Sequence, residues 1–143
     1  VNERQKSILF HKLDTAWQHE LAGKTVTLWG LAFKPETDDM REAPSLVLIR
    51  KLLEAGCTVR VYDPEAMDEC RRRLGDAVIY ARDMYEAALD SALLLVTEWK
   101  EFRLPAWGVL KKTMSGRLII DGRNVYDADE VREAGFEYHC IGK

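Results

Sequence analysis

The sequence predicts an α/β protein with a doubly wound, mostly parallel sheet preceded by an N-terminal helix. Short apolar segments alternate with helical patterns along the whole chain, as in βαβ units. One of these segments, at residues 92–96, is apolar at every position, which is typical of a central parallel strand covered on both faces. The length of 143 residues suits one core, and no internal repeat interrupts the pattern.

The elements follow one another in a regular order. The first helix is predicted from apolar residues that recur every three or four positions up to residue 22. Strands are predicted at 24–29, 58–62, 77–80, 92–96, 117–120 and 136–141. Further helices are predicted from about Pro44 to residue 55, at 67–74, from an Asp83 cap to Leu89, at 105–112, and from an Asp129 cap to residue 134. We therefore expect residues 1–22 to form a helix and residues 23–143 to form one Rossmann-like α/β domain.

Composition and charge exclude several classes of protein. A net charge of −3 argues against general nucleic-acid binding, which needs a broad basic surface. The apolar runs are too short to cross a bilayer, and the first residues lack the features of a signal peptide. The cysteines Cys57, Cys70 and Cys140 form no CxxC pair, and no cluster of histidines predicts a metal site. A cytoplasmic protein without a metal is expected, and the chain reads as a fragment.

Charged residues gather where the predicted strands end. Lys34 and Arg41 follow the first strand, Glu98 follows a central strand and Arg123 follows the fifth. Right-handed crossovers bring the carboxyl ends of parallel strands to one edge, where open α/β sheets bind their ligands. Lysine and arginine at this edge suit phosphate or vicinal hydroxyls, so the three cations are expected to converge on one crevice.

The glycine turn of a dinucleotide site is missing from this sheet. Gly30 is followed by Leu31 and Ala32, with no second or third glycine of a Gly-x-Gly-x-x-Gly motif. Asp63 stands where an NAD ribose partner would, but a structural role in the Asp-Pro turn is favoured. Two aromatic residues after the central strand, Trp99 and Phe102, either border the crevice or pack in the core.

Several of these segments resemble one known family. The loop from Gly30 through Arg41 to Pro44, together with Tyr62-Asp63-Pro64, Thr97-Glu98-Trp99 and Asp121-Gly122-Arg123-Asn124, is similar to the C-terminal, UDP-binding domain of the UDP-glucose 6-dehydrogenase family. The resemblance covers nearly the whole chain in order. The Asp-Asp-Met-Arg-Glu-Ala-Pro sequence favours the UDP-glucose branch over the related UDP-N-acetylhexosamine and GDP-mannose dehydrogenases.

The resemblance implies an oxidoreductase that converts UDP-glucose to UDP-glucuronate with NAD in two steps and serves polysaccharide biosynthesis. In this family a separate N-terminal domain binds NAD and carries the catalytic cysteine, and a linking helix, which residues 1–22 would follow, mediates dimerisation. By motif position, Phe33, Lys34 and Arg123 would contact the substrate, and Arg41 would reach toward NAD. No catalytic residue is expected here, so this chain alone should be inactive. A domain that serves chiefly interdomain contact or assembly remains the alternative.

Overall fold

A single parallel sheet organises the computed structural model, which describes residues 8–32, 40, 43–89, 91–114 and 116–141. The strands described are β1 (Thr25–Trp29), β2 (Thr58–Tyr62), β3 (Ile79–Tyr80), β4 (Ala92–Leu95), β5 (Leu118–Asp121) and β6 (Glu137–Cys140). They lie in the order β3-β2-β1-β4-β5-β6, and every neighbouring pair is parallel. The predicted doubly wound, Rossmann-like sheet is confirmed.

The strand order reverses between β1 and β4, which creates a topological switch point at the centre of the sheet. Trp29, the last residue of β1, pairs with Tyr62 of β2 and with Leu95 of β4. Leu95 in turn pairs with Asp121, the last residue of β5. The carboxyl ends of these four strands are therefore level, and the loops that follow them start from one edge.

Helices connect the strands along both faces of the sheet. They are α1 (Ile8–Ala16), α2 (Pro44–Glu54), α3 (Met67–Leu74), α4 (Met84–Ala87), α5 (Lys100–Arg103), α6 (Trp107–Thr113) and α7 (Ala128–Glu133), with a 3₁₀ turn at Gly75–Ala77. None of the helices in the described ranges is long and apolar enough to span a bilayer.

Alternating side chains of the central strands enter two separate cores. Leu94 and Ile120 belong to the core under α1, α2 and α3, whereas Leu93, Leu95 and Ile119 belong to the core under α4 to α7. All four residues of β4 are buried, as the continuous apolar run predicts. Leu9 and Leu13 of α1 lie in the first core, so the N-terminal helix covers part of the sheet itself.

The first helix ends earlier than predicted. Its apolar spacing predicts a helix to residue 22, but α1 stops at Ala16 and the chain reverses through Gln18 and His19, whose φ angles are +54° and +67°. The His19 ring lies 2.6 Å from the Asp14 carboxylate, and the His19 N–H donates to the Asp14 carbonyl. These contacts stabilise the left-handed turn, which returns buried Leu21 to the core outside the helix.

Other boundaries also differ from the sequence-based expectations, and α5 was not predicted from the sequence. The last helix is capped by Asp127, whose carboxylate accepts from the amides of Asp129 and Glu130, so Asp129 is inside the helix rather than its cap. Asp83 does cap α4, but that helix ends at Ala87 instead of reaching residue 89. Strand β3 begins only at residue 79 because the preceding residues form the 3₁₀ turn.

The aromatic residues after β4 pack in the core. Phe102 is fully buried and stacks on Trp29 with ring centroids 5.0 Å apart, while Tyr62 approaches its ring edge-on at 6.0 Å. The indole N–H of Trp29 donates to the Met84 carbonyl. Trp99 is also buried, so of the two expectations for Trp99 and Phe102 the packing role is the one observed.

Truncating Phe102 should therefore destabilise the domain strongly. Phe102→Ala removes the stacking partner of Trp29 and leaves a cavity, so we expect a loss of about 3–5 kcal/mol in the free energy of unfolding. Denaturant titration would measure it. Leu104→Ala is a matched control in the same segment, because Leu104 is 86% exposed and its loss should change stability by less than about 0.5 kcal/mol. Equal effects of the two substitutions would contradict the packing role.

Candidate functional site

Two buried carboxylates organise the loops at the carboxyl edge of the sheet. Asp63 follows β2 and Asp121 ends β5, and both are almost fully inaccessible to solvent. A buried carboxylate is costly unless several donors satisfy it. The donors in this protein are backbone and side-chain groups of the surrounding loops, so each carboxylate fixes the course of the chain around it.

Asp63 joins three loops through five N–H groups. One oxygen accepts from the amides of Glu65 and Ala66 at 2.8 and 2.9 Å, which shapes the turn after β2. The other accepts from the Leu31 amide at 2.7 Å, with longer contacts to the Ala32 amide at 3.5 Å and the Trp99 indole at 3.4 Å. The structural role predicted for Asp63 is confirmed, because its oxygens are engaged by the protein and not directed at a ribose.

The start of the loop after β1 is held from three sides. Besides the Asp63 contact, the Ser45 hydroxyl at the start of α2 donates to the Leu31 carbonyl, and the Thr97 hydroxyl donates to the Ala32 carbonyl at 2.6 Å. Gly30 has a φ of +99° and lies against Thr97 so closely that a Cβ would come within 2.5 Å of the Thr97 backbone nitrogen. The chain therefore leaves Ala32 toward Phe33 from a fixed position.

Asp121 fixes the loop that carries Arg123. Its Oδ1 accepts from the Arg123 amide at 2.9 Å, and its Oδ2 accepts from the amides of Val125 and Tyr126 and from the Tyr138 hydroxyl at 2.8–2.9 Å. Burial and the hydrogen bond to Asp121 raise the pKa of the Tyr138 phenol, so it remains a donor at physiological pH. Arg123 consequently starts from a rigid backbone.

A carboxylate from the neighbouring loop also contacts the Arg123 side chain. Glu98 Oε1 lies 3.0 Å from Nη2 of Arg123, and Glu98 Oε2 lies 2.9 Å from Nη2 of Arg103 at the end of α5. The hydrogen bonds from Arg103 and Arg123 hold the pKa of the Glu98 carboxyl below its usual value. Glu98 is thus ionised near neutral pH, and the three side chains carry a net charge of +1.

One of the four site residues predicted from the sequence is described by the structure. Arg123 lies at the carboxyl edge, 35% exposed at its side chain, as the strand-end argument expects. Phe33, Lys34 and Arg41 lie outside the described residues, so the predicted convergence of three cations stays a prediction.

Sequence reasoning missed the pairing of Glu98 with Arg123 and the participation of Arg103. A signal for the first existed, because Glu98 and Arg123 both follow strands that were predicted to be parallel, but their adjacency depends on the strand order. Arg103 carried no signal, since nothing in the sequence fixes the turn that places it beside Glu98.

The three cysteines are buried, and the described acidic and histidine side chains do not cluster as metal ligands. Cys57, Cys70 and Cys140 are all buried. Burial raises the pKa of the Cys57 thiol and raises that of Cys70 to about 11, which opposes formation of a nucleophilic thiolate. Within the ranges that the structure covers, no three histidine, cysteine or acidic side chains lie together as metal ligands would.

The all-parallel sheet with its central switch point makes this an open α/β domain, and Arg123 lies at the strand carboxyl ends, where domains of this class bind their ligands. The profile of the UDP-glucose/GDP-mannose dehydrogenase family, UDP binding domain, matches residues 27–128. The chain belongs to this family.

Individual relatives agree with this assignment. The chain is 47% identical to a UDP-glucose 6-dehydrogenase of Pseudomonas aeruginosa and 41% identical to one of Rhizobium meliloti, covering 99% and 100% of this chain and 33% of each relative. It therefore spans about a third of the length of the curated relatives it matches.

Solved structures agree as well. A UDP-glucose dehydrogenase from Pyrobaculum islandicum superposes with a TM-score of 0.74 at 32% identity, covering 96% of this chain and 29% of that one. An NDP-N-acetyl-D-galactosaminuronic acid dehydrogenase from Methanosarcina mazei gives a TM-score of 0.80 at 26% identity, with coverage of 99% and 29%.

A substitution at Gly30 can test whether its close contact with Thr97 is required for the stability of the domain. Gly30→Ala would place a methyl group 2.4 Å from the Thr97 Cβ in a backbone region unfavourable to alanine, so we expect a loss of about 2–5 kcal/mol in unfolding free energy. Gly108→Ala is the control, because nothing lies within 4 Å of its added Cβ and the residue is helical. Thermal or chemical unfolding would compare them, and a tolerated Gly30→Ala would show that the close approach is not required.

Proposed function

We propose that this domain binds the UDP moiety of a nucleotide sugar at the carboxyl edge of the sheet, as one part of an NAD-dependent UDP-glucose 6-dehydrogenase. The complete enzyme would oxidise the C6 alcohol of UDP-glucose to the carboxylate of UDP-glucuronate in two steps. The observation that carries the proposal is Arg123, which stands on a rigid turn at the strand edge with its guanidinium partly exposed to an incoming anion.

The proposed substrate contacts come from two loops at this edge. Arg123 would donate to the phosphate and sugar region, while Phe33 and Lys34, which follow directly after the fixed segment at Leu31 and Ala32, would contact the nucleotide sugar. A guanidinium suits this role because its planar fork of donors matches phosphate oxygens. The identity of the sugar as glucose is supported by the curated relatives, which are UDP-glucose 6-dehydrogenases.

The described residues do not fit a dinucleotide in this domain's own crevice. The glycine turn is absent, and the Asp63 carboxylate accepts from five N–H groups, so Asp63 itself is not available for a ribose. We therefore propose that a separate N-terminal domain of the complete enzyme binds most of the NAD and supplies the catalytic cysteine. Arg41 would reach toward NAD across the interdomain cleft, and the 143-residue chain alone would be inactive.

A cytoplasmic enzyme of polysaccharide biosynthesis is the physiological setting we propose. The alternative for the substrate is a related nucleotide sugar, as in the UDP-N-acetylhexosamine and GDP-mannose dehydrogenases. A panel of the three substrates with the complete enzyme would decide between them. Turnover of UDP-glucose at least tenfold faster than of the others is expected.

A second candidate function is interdomain contact or assembly. A groove of about 390 Å³ opens at the opposite, amino-terminal edge of the strands, and its lining includes Trp17, Lys24 and Arg117. Lys24 Nζ stands over the Trp17 ring at 4.6 Å, so an aromatic and a cationic group are presented together. The complete enzyme is proposed to be a homodimer. If the isolated chain dimerises and shows no response to UDP, assembly outweighs ligand binding.

Binding of UDP should be detectable at Arg123. In a folded sample of the chain, millimolar UDP should shift the NMR signals of Lys34 and Arg123, and unchanged spectra would argue against a self-sufficient site.

In the complete enzyme, Arg123→Ala should lower kcat/KM for UDP-glucose by the equivalent of about 1.5–3 kcal/mol, because a charge-assisted contact is lost. The matched control is Arg73→Ala, which removes an arginine that also pairs with a glutamate but lies on α3.

A further inference from the structure

We propose that Glu98 is a positioning residue of the anion site, which holds the Arg123 guanidinium in place for the diphosphate while Arg103 holds Glu98. The inference rests on the proposed function, since it needs Arg123 to meet the ligand. A carboxylate beside an anion site is unexpected on charge alone, because it repels the anion. Its presence therefore requires a positive reason, and the geometry supplies one.

The two oxygens of Glu98 serve different partners. Oε1 accepts from Nη2 of Arg123 at 3.0 Å and Oε2 accepts from Nη2 of Arg103 at 2.9 Å. Because neither arginine shares an oxygen with the other, the two contacts together fix the rotation of the carboxylate. Arg103, at the end of α5, thus holds Glu98 in place, and Glu98 in turn holds the side chain of Arg123 in the loop after β5.

Arg123 is consequently held at both ends of its side chain. Its backbone amide donates to Asp121 Oδ1 at 2.9 Å, and its guanidinium donates to Glu98 through Nη2. A guanidinium carries five N–H donors, so the contact through Nη2 leaves the fork able to bind an anion at the same time. Ordering the side chain before the ligand arrives lowers the conformational cost of binding.

The net charge of the cluster also remains suited to an anion. Arg103 compensates the charge of Glu98, so Arg103, Glu98 and Arg123 sum to +1 at neutral pH. Glu98 therefore restrains Arg123 without cancelling its attraction for phosphate. A glutamate paired with Arg123 alone would leave no net charge.

The two possible roles of Glu98, as a nearby negative charge or as a positioning residue, predict opposite effects of one substitution on UDP affinity. Glu98→Gln keeps the size of the side chain and removes its negative charge. If Glu98 acted only as a nearby charge, the variant would bind UDP more tightly, because the cluster would rise to +2. If Glu98 positions Arg123, the variant should bind more weakly, by about tenfold in the dissociation constant, because glutamine has one acceptor oxygen for two arginines and its neutral amide accepts a weaker hydrogen bond than a carboxylate.

The experiment is isothermal titration of UDP into the complete enzyme carrying each variant. Glu98→Asp retains the charge but is one methylene shorter, so it should also weaken binding if position matters and leave binding unchanged if charge alone matters. Glu69→Gln is the matched control, since Glu69 is likewise held by two arginines, Arg72 and Arg73, but lies on α3. It should leave the dissociation constant unchanged.

A double-mutant cycle separates positioning from a general loss of structure. In an Arg123→Ala background, Glu98→Gln should have no further effect on UDP affinity, because its effect acts through Arg123. Additive losses, unchanged binding or tighter binding by Glu98→Gln would overturn the positioning role. An unaltered affinity of Arg123→Ala would instead overturn the proposed function itself, so the two failures are distinguishable. Unfolding midpoints equal to that of Glu69→Gln would establish that the variants are folded.

Discussion

The carboxyl edge of this domain depends on the burial of Asp63. A carboxylate excluded from water must receive hydrogen bonds from the protein, and the donors here belong to the loops after β1, β2 and β4. Satisfying one side chain therefore ties together the three loops around the switch point. The same requirement removes Asp63 from direct ligand chemistry, because oxygens that accept five N–H groups have little capacity left for a ribose hydroxyl.

Asp121 applies the same principle on the other side of β4. Its four donors come from the loop after β5 and from Tyr138 of the edge strand β6. The loops around both carboxylates are also tightly packed. Gly30 lies against Thr97, and an added Cβ at Gly122 would come within 2.8 Å of Leu9 in α1. The N-terminal helix thus contacts the turn that carries Arg123, which links the first element of the chain to the candidate site.

The sequence was sufficient for the sheet because strand burial is a pattern of local composition. The run at 92–96 predicts a doubly covered strand, and β1 and β2 lie where their apolar, β-branched residues predict. The end of α1 could not be predicted from spacing, because Leu21 satisfies the helical spacing although the chain has already reversed through Gln18 and His19. The Asp83 cap was predicted correctly, but the cap of the last helix was not: Asp127 and Asp129 are chemically equivalent candidates two residues apart, and only the three-dimensional turn selects between them.

The sequence predicted where the candidate site lies, but not the hydrogen bonds that connect its side chains. Strand order brings Glu98 and Arg123 into neighbouring loops, yet their contact also depends on the turn after β4, which buries Trp99 against Asp63 and directs α5 so that Arg103 reaches Glu98. Backbone and indole dipoles compensate the charge of Asp63, and amide and phenol donors compensate that of Asp121. Arg103 does the same for Glu98. With these three carboxylates compensated, Arg103, Glu98 and Arg123 together keep a net charge of +1 at the partly exposed edge, where the proposed diphosphate would arrive.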